Sequence, residues 1–517
     1  ILREVRKSRR ALHAMPITRE APLTLTEIAR IAEGETLSLA PCVWEGLASA
    51  RLIVDAVVAG GIPAYGITTG VGALVDTPIG ADSLAVLSRN LLMSHACAIG
   101  EPLPKPWVRA ILAAQINNLA HGVSGIAPGT VALMLGLLEK DCVPVVPRQG
   151  SVGYLAHMAH MALVLIGEGE AVFDGERLTG AEALARAGLS PVVLGAKEGL
   201  SLINGSSCAT GLGCVAMARA ARLLDVVDAV AAMSFVALGG NAAAFEEAAM
   251  NLRVCEGLRQ SASNLRGWLA DWAKCDDALG ANRLQDALSL RSIPHVHGAA
   301  RVTLAHGAKV VSDELSSVTD NPAVLGTPDA PRVVSQAHAV APALAMALDS
   351  AGVALAHLGM ISERRLDRLT NPLVSGLPKF LASEVGVQSG FMIAQYSAAA
   401  LVGENRRLAA PASLDGGVTS GLQEDYLAHP TAAALKLLAL VENTERIVSI
   451  ELAAAAQGID LAGLGTAGTM PPRVAQLHAE VRKAIPIFSD DRPLASLLDQ
   501  AMHLIRTGLP MGHFDSI

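Results

Sequence analysis

From Gly205 to Ala270 the chain runs without a single proline, and apolar residues recur there at spacings of three and four. That period marks one face of an α-helix, and the lack of proline removes the commonest interior breaker. A second stretch, Ser335 to Asp460, repeats the period, with breaks expected near Pro372, Pro378, Pro411 and Pro430. Two such runs commit the chain to long core helices. Aromatic residues make up only 3% of the 517 while hydrophobic residues reach 51%, mostly Ala, Leu and Val. Small, straight side chains suit close helix packing, whereas β-sandwiches draw on aromatics. A mean hydropathy of +0.41 suggests that helix faces are buried in a symmetric homo-oligomer.

The remaining segments read as shorter elements. Residues 1–62 are expected to be helical with charged linkers, and Thr24 with Glu27 forms a capping-box pattern. Pro63 to Gly80 is loop-like. Ser83 to His121 predicts two helices parted by residues 100–104, and Pro128 to Glu139 a third. Val143 to Pro147 reads as extended because proline restricts its predecessor. Tyr154 to Gly167 is apolar at helical spacing, and Asp174-Gly175 marks the turn of a small hairpin. The expected organisation is an N-terminal region (1–200), a central helical bundle (201–460) and a C-terminal helical tail (461–517).

Lys and Arg total 40 against 48 Asp and Glu, a net charge of −8 with no basic stripe, which argues against nucleic acid as a partner. The seven cysteines are scattered and form no CxxC pair, as in a reduced, cytoplasmic protein. The best membrane candidate, Ala229 to Phe245, falls short of the roughly 20 residues a spanning helix needs and reads as a buried bundle helix. The charged opening Ile1 to Lys7 lacks the apolar run of a secretory signal. His157 and His160 stand one helical turn apart without Cys or carboxylate partners at metal-ligand spacing, so no metal site is expected.

Short polar islands interrupt the apolar sequence: Tyr65-Gly66-Ile67-Thr68-Thr69-Gly70, Ser94-His95-Ala96, Gly150-Ser151-Val152-Gly153, Asn204-Gly205, Gln285-Asp286 with Ser289-Leu290-Arg291, Asp320-Asn321-Pro322 and Gln423-Glu424-Asp425. In this order, over about residues 20–500, they resemble the aromatic amino acid ammonia-lyases, most closely the histidine ammonia-lyase branch. The resemblance implies a mainly α fold, a long-helix bundle of the ammonia-lyase type with a small mixed N-terminal region. It implies removal of an α-amino group and a β-proton from an L-amino acid, giving an α,β-unsaturated acid. Ammonia is a poor leaving group, and the family meets that difficulty with an electrophile, methylidene-imidazolone, cyclised from its own Ala-Ser-Gly tripeptide.

On this resemblance Tyr65, in its glycine-flanked loop, is the expected base. A phenol with an ordinary pKa near ~10 needs its surroundings to make it one. Arg291 is expected to clamp the substrate carboxylate in bidentate fashion. Asn204 and Gln285 hold the prosthetic group, Gly153 leads into it, Asn321 is a polar partner of the substrate, and His95 and Glu424 face its side chain. A cytoplasmic homotetramer with active sites shared among chains is implied as well.

The pattern is broken in three places. Gly153 is followed directly by Tyr154-Leu155-Ala156-His157 where the family continues Ala-Ser-Gly-Asp-Leu. Leu288 stands where the family has Tyr, and Ala337-His338-Ala339 replaces its Asn-Phe-His, so Leu288 and Ala339 shift the expected substrate away from strict histidine specificity. The intact flanks around the first break lead us to expect the tripeptide in the encoded chain. Without it, an inactive helical homologue is the alternative. A 2,3-aminomutase using the same electrophile is the other.

Overall fold

The computed structural model describes residues 15–18, 21–272, 284–414, 416–465 and 468–509. Four long helices dominate: Ser207–Ala237, Ile293–Leu315, Pro342–Thr370 and Pro430–Leu461. Pro342 and Pro430 each open a helix, where the missing N–H would have had no intrahelical partner. The chain divides into two compact units of discontinuous stretches. One comprises residues 1–218, 307–349 and 411–435, and the other 219–306, 350–410 and 436–517. This partition follows spatial contact, whereas the three consecutive segments read from sequence follow chain order.

Strands are short. Met15–Ile17 pairs in parallel with Leu37–Leu39, so the N-terminal region is mixed rather than wholly helical. Thr24 and Glu27 form the expected capping box before the helix Leu25–Ala32. Glu170–Phe173 and Glu176–Thr179 form the expected hairpin, with Asp174 and Gly175 both at positive φ, as a two-residue turn of the I′ kind requires. Val143–Pro144 joins that hairpin as a third strand, and Pro147–Gln149 pairs with Ile99–Pro102.

Two expectations of helix continuity are corrected. The proline-free stretch is not one rod: the helix stops at Ala237, Gly239 turns left-handed, and Ala242–Phe245, Glu247–Met250 and Glu256–Trp268 follow as separate pieces. Glycine pairs break helices as readily as proline when one of them takes positive φ. The second correction is at Ala156–Leu163, which starts two residues later than expected because Leu155 has φ 73°. Among the described residues one helix, Pro342–Thr370, is long and apolar enough to cross a membrane, and 67% of its apolar window is buried inside the protein.

In the first unit, Ile53, Val54, Val57, Ala64, Ile67, Leu84, Ala196 and Val324 form one buried cluster. In the second unit the core holds charges. Asp228 accepts hydrogen bonds from His297 Nδ1 (2.7 Å), an Arg301 Nη (2.7 Å) and Asn264 Nδ2 (2.8 Å). Burial holds His95, His121, His157, His160 and His297 below the ordinary histidine value of 6.5. The unfolded chain therefore takes up protons near pH 6.5 that the folded chain refuses. The stability tied to these groups is complete above that pH and is lost as pH falls below it. We expect the melting temperature to drop steadily between about pH 7 and 5.5 in constant-ionic-strength buffers; a flat profile would show that these rings titrate as in water.

Candidate active site

In the first unit, Tyr65 sits in the Pro63–Gly80 loop between buried Ala64 and Ile67. The loop folds on its own threonines: Thr68 Oγ1 donates to Ile62 O (2.7 Å) and accepts from Ala64 N (2.8 Å). Gly66 has φ +63°, and a Cβ there would lie 2.4 Å from Leu200 Cδ2, so any side chain would be strained and would push Leu200 aside. The Gly72 N–H donates to the Tyr65 phenolic oxygen at 2.9 Å, which aims that oxygen.

The Gly153–Tyr154 join lies in the same unit. Gly153 has φ +142°, and a Cβ there would stand 2.6 Å from Pro430 Cδ. Ser151 Oγ accepts from Gly153 N (3.1 Å) and donates to Tyr154 O (3.0 Å), while Thr431 Oγ1 donates to Gly153 O (3.2 Å). Ala156 N donates to Tyr154 O (3.1 Å) across Leu155, whose φ 73° and ψ −76° make a strained γ-turn. Leu155 N donates to Ile203 O. The backbone thus crosses the join as one continuous hydrogen-bonded turn.

Tyr154 is only 8% exposed, and its hydroxyl donates to Glu424 Oε2 at 2.6 Å. Burial, that bond, the Glu424 charge and nearby Tyr65 all push the Tyr154 phenol upward, so it stays protonated at neutral pH. Sequence reasoning placed Tyr154 in the helix and missed this role. The one available signal was an aromatic residue at the point where the family pattern breaks.

Asn204 caps the C-terminus of Glu198–Ile203, and its Nδ2 donates to Asn321 O at 2.7 Å. Gly205 follows with φ +100°, and a Cβ there would meet Thr319 Oγ1 at 2.7 Å. Asn321 Oδ1 accepts from Gln336 N (2.7 Å) and Ser335 Oγ (3.3 Å). Among the described residues its amide nitrogen carries no hydrogen bond. Ala339 is buried, and half-buried His95 ends the helix Leu84–His95 with Nδ1 on Ser94 Oγ (3.1 Å). The structure thus joins Asn204 to Asn321, and Glu424 to Tyr154 beside Tyr65.

Gln285, Leu288 and Arg291 belong to the second unit. Gln285 and Leu288 are exposed, and half-buried Arg291 donates through Nε to Asp286 O (3.1 Å). That bond uses one edge of the guanidinium. Among the described residues no group of three or more His, Cys, Asp or Glu could hold a metal, and His157 Nε2 lies 2.9 Å from Arg148 O.

The aromatic amino acid lyase profile matches residues 23–483. The chain belongs to the aromatic amino acid lyase family. It is 43% identical over 492 residues to the histidine ammonia-lyase of Symbiobacterium thermophilum, covering 94% of this chain and 96% of that one. It is also similar to the solved histidine ammonia-lyase from Trypanosoma cruzi (34% identity, TM-score 0.88, 96% and 94% of the two chains). The tyrosine aminomutase from Streptomyces globisporus is similar too, at 31% identity and TM-score 0.88, over 96% and 97% of the chains.

The lyase family is the methylidene-imidazolone-dependent class. The residues of this chain do not fit that group. Ala-Ser-Gly occurs nowhere in the sequence, and at the expected position Tyr154 follows Gly153 with its phenol on Glu424. Within the first unit the candidate polar groups are the Tyr65 phenol, the Asn204 and Asn321 carboxamides and the Tyr154–Glu424 pair.

Proposed function

We propose that this chain is a carbon–nitrogen lyase that eliminates ammonia from an L-amino acid of the histidine or aromatic type, yielding an α,β-unsaturated acid. Its full-length similarity to histidine ammonia-lyases, with Tyr65 set beside the Tyr154–Glu424 pair, carries the reading. Tyr65 takes the β-proton, the Cβ–H electron pair becomes the Cα=Cβ double bond, and the Cα–N pair leaves with the nitrogen as ammonia. Arg291 binds the substrate carboxylate, while Asn204, Gln285 and Asn321 supply amide contacts. His95, Leu288, Ala339 and Glu424 surround the substrate side chain. With Leu288 and Ala339 both aliphatic, the proposed substrates include aromatic amino acids as well as histidine.

The reading places the protein in the cytoplasm as a homotetramer whose active sites are shared among chains. An Ala-Ser-Gly segment encoded between Gly153 and Tyr154 would supply the family's electrophile, and the lyase reading is conditional on that segment, which the sequence does not hold. Two further readings have observations behind them. Similarity to aminomutases favours return of the amine to the β-carbon. The missing tripeptide favours an inactive homologue.

Tandem mass spectrometry of the peptide spanning Gly150–His157, beside product analysis, separates these readings. A peptide carrying additional, cyclised residues between Gly153 and Tyr154, together with an unsaturated acid, supports the lyase. A β-amino acid supports the mutase. An unmodified peptide with no product from any amino acid leaves the inactive homologue.

A further inference from the structure

The first unit contains a buried ion pair that the proposed chemistry leaves unused. Lys197 Nζ donates to Asp320 Oδ2 at 2.7 Å, with the two side chains 0% and 2% exposed. Lys197 Nζ also reaches Ser201 Oγ at 3.0 Å, and Gln115 Nε2 holds the Ser201 carbonyl at 2.9 Å. Lys197 lies at φ +65°, an unusual backbone for a residue with a side chain. Taking two charges out of water is costly, and their mutual attraction seldom repays it in full. A pair kept at that cost, in a strained backbone, calls for a role beyond stability.

Its position supplies one. Lys197 immediately precedes the helix Glu198–Ile203, and Asn204 immediately follows it. Asp320 immediately precedes Asn321. The helix, roughly 9 Å long at 1.5 Å per residue, is therefore tied to one loop at both ends. At its start Lys197 grips Asp320, and at its end Asn204 Nδ2 grips Asn321 O. Gln336 closes the far side of the loop, with Nε2 on Asp320 O and its own N–H on Asn321 Oδ1, both at 2.7 Å. The Asn321 carboxamide is thus held by its oxygen, and among the described residues its NH2 carries no hydrogen bond.

We infer that Lys197 and Asp320 are positioning residues: the buried pair, with Asn204 as the second tie, fixes the register in which the Asn321 carboxamide is presented to substrate. The inference rests on the lyase reading for what is presented, and on geometry alone for the fixing.

The test is the full-length double variant Lys197→Met/Asp320→Leu, which replaces the pair with apolar groups of comparable size. Such replacements are often neutral or stabilising, so the melting temperature should stay within a few degrees of wild type. Amide exchange in the peptide covering residues 319–336 should quicken by at least about tenfold, with the helix Lys105–Leu119 unchanged. With the amino acid that wild type turns over, kcat should fall by about 10–100-fold while KM holds, as for a small misplacement of aligned groups. Unchanged exchange together with full kcat overturns the inference. If the double variant fails to fold, Lys197→Gln/Asp320→Asn, which removes both charges and keeps a polar pair of similar shape, is read in the same way. If wild type turns over no amino acid, the lyase reading falls, and the exchange measurement alone decides whether the pair fixes the loop.

Discussion

Replacing Tyr65 with phenylalanine should lower kcat by about two to four orders of magnitude, the usual contribution of a positioned base. The melting temperature should stay within a few degrees of wild type. The substitution removes one oxygen, whose one hydrogen bond among the described residues comes from Gly72 N–H. Gly72 is half-buried, so water can take over its N–H at little cost. The ring itself keeps its place, because buried Ala64 and Ile67 and the Thr68 bonds set the loop. KM should change little, since the phenol acts on the β-proton and not on the carboxylate or side chain. A Tyr65→Phe protein retaining more than about a tenth of wild-type kcat would remove Tyr65 from the role of base.

The largest stability effect is expected at Arg365. In the second unit its guanidinium meets Glu451 through two bonds, Nε to Oε1 at 2.5 Å and Nη2 to Oε2 at 2.9 Å, with the side chains 1% and 0% exposed. Ser234 Oγ and Ser362 Oγ donate to the same carboxylate at 2.7 and 2.5 Å. Arg365→Met leaves the carboxylate in the core with two hydroxyl donors and no countercharge. Breaking such a pair from one side typically costs about 3–5 kcal/mol. Arg365→Met/Glu451→Leu removes both charges and should regain most of the loss, provided the serines find other partners. The contrast is Lys309–Asp313, an i,i+4 pair with both side chains well exposed, whose removal should not move the melting temperature measurably. Equal effects at the two sites would mean that burial does not set the value of these pairs.

Local chemistry was legible in the sequence and distant pairing was not. The capping box at Thr24 and Glu27, the Asp174-Gly175 turn and the helix start at Pro430 each rest on two to four neighbouring residues with fixed conformational preferences. The break at Gly239 was overlooked because the apolar period continues through it, and only the backbone angle of one glycine interrupts it. The Lys197–Asp320 pair joins positions 123 residues apart, and nothing near either residue names its partner. Among the proposed site residues, motif order put forward Tyr65, Asn204, Asn321 and Glu424. The Tyr154 hydroxyl on Glu424 came only from the fold, since the sequence showed an interrupted motif and not what replaced it.

The most direct test is to incubate the purified full chain with L-histidine and with L-aromatic amino acids, measuring free ammonia and α,β-unsaturated acid together. The lyase account predicts that both appear in equal amounts from at least one of these substrates. Ammonia and unsaturated acid both absent from every amino acid, with the protein shown to be folded, would contradict it.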